Sequence, residues 1–154
     1  MTVAGVIERN GRYLLVEEHT AEGLRLNNPA GHLEPGESPE QGVVREVMEE
    51  TAHPFEPTAL VGVYLSRQRS ASGDATYLRF AYTGRVGEPV PGQALDHGIV
   101  RTLWATLDEL RAQPERLRSE LVLRCIEDHA AGHRHAMEIV STEPSVGAAS
   151  LRAT

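Results

Sequence analysis

The sequence carries a single cysteine, Cys125, so an intrachain disulfide and a multi-cysteine metal site are both excluded. Cys125 lies among apolar residues at helical spacing and reads as core filler. No apolar run approaches the ~18 residues of a membrane-spanning helix, so no membrane span is expected. The opening stretch, MTVAGVIERNG, lacks the charged segment and cleavage site of a secretory signal, which makes the cytoplasm the expected compartment. Positive charge is in deficit: 15 basic against 22 acidic residues give a net charge of −7. That balance argues against a nonspecific nucleic-acid binder, and no nucleic-acid partner is expected. It leaves phosphate-bearing small molecules open, because a bound metal reverses the local sign. There are no internal repeats. What is present is ordinary for one globular domain: 154 residues, 40% hydrophobic and 24% charged. Residues 1–140 are expected to form that domain. Residues 141–154 are small and polar with little to bury, and are expected to be a flexible tail.

The chemically pointed stretch runs from Pro29 to His53. Ser38, Pro39 and Gln41 supply an N-cap, a residue suited to the first helical position and a capping-box partner, so a helix is expected from Pro39. Val43, Val44, Val47 and Met48 form an apolar stripe that should be buried. Arg45, Glu46, Glu49 and Glu50 then share the other side. Like charges one turn apart destabilise a helix by a few tenths of a kcal/mol, and these sit at the end where the helix dipole disfavours them. Converging carboxylates make sense around a hard divalent cation such as Mg²⁺, which takes oxygen ligands. Arg45 and Glu49 are spaced to pair, so the arginine can orient that acid. For the helix taken alone, a solvated charged face with Arg45 pairing locally accounts for the pattern equally well. Upstream, Gly31 permits close backbone approach, so a main-chain carbonyl near Ala30 could reach the same cation.

The spacing Gly31, Glu37, Arg45, Glu46, Val47, Glu49, Glu50 closely resembles the box of the Nudix hydrolases, Gly-x5-Glu-x7-Arg-Glu-U-x-Glu-Glu-x-Gly-U with U aliphatic. Ala52 and His53 depart from the last two positions, and Pro54 is expected to stop the helix in place of the missing glycine. The run Pro29-Ala30-Gly31-His32-Leu33-Glu34 is similar to that of small bacterial, MutT-like members acting on nucleoside di- and triphosphates and on the thiamine pyrimidine pyrophosphate. The resemblance implies an α/β/α sandwich around a mixed β-sheet. It also implies Mg²⁺-dependent (or Mn²⁺-dependent) hydrolysis of a phosphoanhydride bond in a small diphosphate substrate. On that footing the metal ligands are Glu46, Glu49, Glu50 and a carbonyl at Ala30. Glu46, Glu49 and Arg45 form the catalytic set, with Gly31 and Glu37 supporting it. Asp96 and His97 lie in a loop that in this family can cover the metal site. Glu46, Glu49, Asp96 and His97 all stay open as the general base. ADP-ribose or dinucleoside polyphosphate pyrophosphatases are the alternatives within the class. A non-catalytic nucleotide-binding sensor is the alternative outside it, although such proteins lose box carboxylates and none is missing here. Monomer and homodimer are both left open.

The rest of the chain reads as strands around this core. Thr2–Glu8 and Tyr13–Glu17 flank Asn10-Gly11, a strong hairpin signal. Leu24–Asn27, Thr58–Ser66, Thr76–Arg85 and Gly98–Trp104 are further strands, with Arg67–Asp74 a loop. Arg67, Arg69 and Arg79 are candidate phosphate clamps, since arginine presents a fork to phosphate oxygens; each alone also reads as a solvated arginine. Pro114 is expected to open a long helix carrying Leu117, Leu121, Val122, Cys125 and Ile126 over the sheet face opposite the box helix. His135–Val140 reads as a short edge strand. His129, His133 and His135 lack the acid or cysteine that would complete a usual zinc set.

Overall fold

The computed structural model describes residues 1–148. The apolar run after Met1 forms two strands, β1 (Thr2–Gly5) and β2 (Glu8–Arg9), where the sequence reads as one. The reason is that the chain changes sheet between them. Val6 and Ile7, both fully buried, turn their side chains into different halves of the core. Asn10 (φ 53) and Gly11 (φ 80) supply the left-handed pair of a tight hairpin, folding β2 onto β3 (Arg12–Thr20). β4 (Gly23–Asn27) and β5 (Ala30–His32) follow, then α1 (Pro39–Thr51). A long hairpin of β6 (Phe55–Ser70) and β7 (Gly73–Val86) leads through a loop to β8 (Ile99–Ala105), α2 (Leu107–Arg111) and α3 (Glu120–Ala130).

One sheet has the order β5-β1-β7-β6 and is mixed, because β1 and β7 run parallel while their other pairings are antiparallel. The second joins β2, β3 and β4, with β8 on the other edge of β3. Alternation along β3 splits the core as a period of two requires: Tyr13 and Leu15 face one cluster, Leu14 the other. The first cluster lies under α3, with Leu26, Val61, Cys125 and Ile126. The second lies under α1, with Val3, Val43, Val47 and Tyr82. This is the α/β/α sandwich expected from the sequence.

Four local readings need correction. Val44 is 38% exposed, because a step of one residue turns it away from the Val43–Val47 stripe; Met48 is only half-buried. The stretch 67–74 is hairpin, with Arg67 opposite Thr76 and Arg69 opposite Asp74. Pro114 opens only a short 3-10 turn to Arg116. Leu117 then extends and bridges to Leu26, with the Arg118 N–H donating to the Leu26 carbonyl at 2.8 Å, before α3 begins. His135 pairs with Leu60 alone, through two backbone hydrogen bonds, and a 3-10 turn (Met137–Ile139) replaces the expected strand. Within the stretch read as a tail, Ser145–Ala148 form a short helix, α4; residues 149–154 lie outside the described residues.

Candidate active site

The site is built where β5 passes the face of α1. Ser38 and Gln41 form the reciprocal cap that starts α1, and Ala52 closes it in the left-handed conformation (φ 60) that a glycine would more easily adopt. An alanine there costs roughly 1 kcal/mol, so the turn is imposed by its surroundings. The helix thereby ends before His53, and the backbone of the next loop docks on its last turn. Val90 N–H donates to the Ala52 carbonyl and Asp96 N–H to the Glu49 carbonyl, each at 2.8 Å.

Arg45 ties the acids together. Its Nε and Nη2 hold Glu37 Oε1 and Oε2 at 2.5 and 3.1 Å. Its Nη1 reaches Glu46 Oε1 at 2.8 Å and Glu49 Oε2 at 3.1 Å, and Nη2 also donates to the His32 carbonyl at 3.0 Å. Hydrogen bonding to Arg45 holds the Glu37 carboxyl below its usual range, and the same contacts keep Arg45 firmly protonated. Glu37 therefore acts on Arg45, fixing the guanidinium that orients Glu46 and Glu49.

Gly31 lies directly against Glu46. A Cβ on it would sit 2.1 Å from Glu46 Oε1, so only glycine lets strand and carboxylate approach this closely. Glu46, Glu49 and Asp96 each place a carboxylate oxygen within 4.8 Å of the others. Glu50 stands beside this trio, buried, with Oε1 accepting the Ala30 N–H at 2.7 Å. Burial pushes the Glu46 carboxyl up despite Arg45. It pushes Glu50 up to about 8, and the charges of Glu18, Glu46 and Asp96 add to the effect. Half-buried carboxylates gathered around one arginine form a hard oxygen donor set in want of positive charge. That set fits a divalent cation of the Mg²⁺ or Mn²⁺ type.

Beside the acids opens a cleft of about 220 Å³. Ala30 and Gly31 form its end at the carboxylates, and Asn27, Glu18, Tyr77, Arg79, Gln68 and Arg118 line its walls. Arg79 is buried, its guanidinium donating to Asn28 Oδ1 (3.3 Å) and Asn27 Oδ1 (3.5 Å). Tyr77 meets His32 with ring centroids 5.9 Å apart. Arg67 is exposed near the hairpin tip and ion-paired to Asp74. Asp96 joins the carboxylates, whereas its neighbour His97 is exposed and lines neither the cleft nor the acid trio. Sequence reasoning passed over Glu18, Asn27 and Arg118. They come from β3, from β4 and from the stretch before α3, and the signal that could have found Glu18 is a charge interrupting the apolar β3.

The other titratable cluster is closed. His129 Nδ1 meets the Tyr13 hydroxyl and Nε2 meets Arg134 Nη2, both at 2.8 Å, so neither ring nitrogen is left for a metal. Among the described residues no helix is long and apolar enough to cross a membrane.

The NUDIX domain model matches residues 1–124. The chain is 33% identical over 141 residues to "Phosphatase NudJ" of Escherichia coli K12, covering 91% of this chain and 89% of the relative. A solved NUDIX hydrolase from Nitrosomonas europaea superimposes with a TM-score of 0.85 at 48% identity, covering 92% and 95% of the two chains. The NUDIX domain of Shewanella oneidensis NrtR, solved with ADP ribose, shares the fold (TM-score 0.65, 20% identity, covering 84% of this chain and 85% of that one).

Proposed function

The chain belongs to the Nudix hydrolase family, and on that premise we propose that it hydrolyses a phosphoanhydride bond of a nucleoside di- or triphosphate or a similar small pyrophosphate metabolite, using Mg²⁺ or Mn²⁺. The observation that carries this reading is the convergence of Glu46, Glu49 and Asp96 beside Gly31, at the end of a cleft. Glu46, Glu49 and Asp96 would hold the cation, with Glu50 and the backbone at Ala30 completing its surroundings. A bound divalent cation supplies charge neutralisation of the diphosphate and acidifies a water. Arg45, locked by Glu37, keeps Glu46 and Glu49 aimed inward. Arg79, itself fixed by Asn27 and Asn28, offers its fork to substrate oxygens in the cleft wall. Asp96 is brought to the other two acids by a loop tied to α1 through its own N–H, and the general base stays open among these three.

The relative's name favours a phosphatase. The fold-level likeness to an ADP-ribose-binding domain keeps a nucleoside-diphosphate-linked substrate as the second reading. Chromatographic product identification separates them. Purified protein with Mg²⁺ is offered nucleoside tri- and diphosphates, ADP-ribose and the thiamine pyrimidine pyrophosphate, with Glu50→Gln alongside. Metal-dependent release of orthophosphate or pyrophosphate, lost in the variant, is expected. Turnover of ADP-ribose alone would shift the assignment to the second reading. Tight nucleotide binding with no turnover of any substrate would identify a sensor instead.

A further inference from the structure

The cleft does not end at its far wall. Gln68, Arg118 and Ser119 also line a second trough of about 300 Å³, together with Arg25, Arg67 and Arg69. We propose that this arginine-lined trough is a second anion subsite, which takes a phosphoryl group carried on the organic part of the substrate, away from the diphosphate. The inference rests on the hydrolase reading and deepens it: the preferred substrate is a diphosphate or triphosphate bearing a further phosphate.

The four arginines come from parts of the chain far apart in sequence: β4, the β6 tip and the stretch before α3. Their meeting is a product of the fold. It is also against the trend of the molecule, whose net charge is −7 and whose 15 basic residues are all arginine, with no lysine. Arginine offers a planar fork that matches phosphate oxygens. The carboxylates present do not use up these forks. Glu22 approaches Arg25 only to 3.9 Å and is itself 83% exposed. Asp74 engages Arg67, and Glu18 engages Arg118 at 3.0 Å. Arg69 makes no ion pair among the described residues. An exposed pair such as Arg67–Asp74 contributes little, so an incoming dianion displaces it readily, while Glu18 occupies only one nitrogen of Arg118.

Register sets the separation. Ala30 lies in the row Ala30–Ala4–Ala81, and Gln68 lies opposite Ala75. The six residue steps along β7 from Ala81 to Ala75 span about 20 Å at the usual strand rise. A diphosphate seated at Glu46 cannot reach that far. Arg118 lines both the cleft and the trough, so a phosphate on the far side of a nucleoside lying in the cleft meets the trough at that guanidinium. The same positive field at the mouth draws anionic substrate towards a protein whose other end is strongly acidic.

Binding measured by calorimetry tests this without relying on turnover. Adenosine 3′,5′-bisphosphate and adenosine 2′,5′-bisphosphate are compared with adenosine 5′-monophosphate, on wild type and on Arg25→Ala/Arg69→Ala. One or both bisphosphates should bind roughly tenfold or more tightly, the scale of one charge-assisted contact. The double variant should bring that ratio below about twofold, and Arg25→Lys/Arg69→Lys should restore part of it, with far-UV circular dichroism unchanged throughout. Equal affinity for all three ligands in wild type overturns the proposal, and leaves the hydrolase reading standing if ATP is still turned over. A 5′-triphosphorylated oligonucleotide binding more tightly than either bisphosphate also overturns it, because the arginines would then serve a polynucleotide backbone.

Discussion

Two of the buried polar networks, one around His129 and one around Arg45, are balanced in opposite ways. Around His129 both ring nitrogens have a complement. Arg134 can only donate, so His129 Nε2 accepts, and Nδ1 must carry the hydrogen it gives to the Tyr13 oxygen. Around Arg45, four carboxylates compete for one guanidinium, while Glu50 stands behind them with no basic side chain paired to it among the described residues. The first network is finished by the protein itself. The second is finished only by something brought in. Both shift their titratable groups through burial, so a shifted pKa alone does not separate function from architecture; the sign of the leftover charge does.

The largest test of this contrast is Glu50→Gln. The amide keeps an oxygen for the Ala30 N–H but removes a charge from the cation's surroundings. Turnover should fall by at least ~100-fold, the scale of lost electrostatic stabilisation at an active site. Metal-free stability should move the other way. Glu50 is raised to about 8 in the folded chain, from an ordinary value near 4.5. The folded form therefore holds the extra proton, and stability present below pH 4.5 is lost as pH rises through 8. In chelator at pH 8, Glu50→Gln should unfold at higher denaturant than wild type. A variant that keeps more than a tenth of its activity would remove Glu50 from the site.

Gly31→Ala asks whether the close packing of β5 on Glu46 matters. The new methyl would meet the carboxylate at 2.1 Å and push it from its place. Misplacement by about 1 Å can cost up to ~100-fold, so a loss of ~10- to 100-fold in kcat/KM is expected with a cooperative unfolding transition retained. Activity within twofold of wild type would mean that Glu46 has freedom the geometry denies it.

The two networks also differ in how far the sequence displays them. Arg45, Glu46, Glu49 and Glu50 are spaced by one helix, and Ser38 and Gln41 announce where that helix starts, so local rules suffice. Asp96 could be named as a loop acid, but its place depends on the backbone bond from its N–H to Glu49. Tyr13, His129 and Arg134 meet across the fold, and no pattern in any one segment anticipates it. The cleft residues Glu18, Asn27 and Arg118 were hidden for the same reason, since hydrogen bonds to Glu18 join three separate segments. The short 3-10 turn at Pro114 was misread because periodicity does not register the backbone bond that pulls Arg118 onto Leu26.

Tyr13→Phe probes the finished network. It leaves the His129 Nδ1–H buried without an acceptor, which should cost about 1–3 kcal/mol with little change in turnover. The pH dependence should be opposite in sign to that of Glu50. Burial, and then the charge of Arg134, push His129 down to about 4 from an ordinary 6.5. The unfolded chain thus takes up a proton first, and the stability contributed is present above pH 6.5 and lost as pH falls towards 4. Denaturant midpoints between pH 6.5 and 5 should fall less in His129→Gln than in wild type. Equal slopes would show that the ring is not held neutral.

The smallest effect expected is at Tyr82, a polar group that neither network claims. Its hydroxyl, among the described residues, is the buried side-chain atom without a hydrogen-bond partner, and the ring packs with Val3, Val43 and Val47 under α1. Burial pushes the phenol up to about 12, so it stays neutral at any working pH. A neutral hydroxyl without a partner gains nothing from its oxygen, and removing it also removes a desolvation cost. Tyr82→Phe should therefore lie between neutral and about 1 kcal/mol more stable in urea unfolding, with turnover unchanged. Because Tyr82 packs under the same helix that carries Glu46 and Glu50, this variant separates the floor of α1 from its working face. A destabilisation of more than about 1 kcal/mol would mean the hydroxyl has a partner in solution, and a loss of turnover with it would extend the open network through the helix to its buried side.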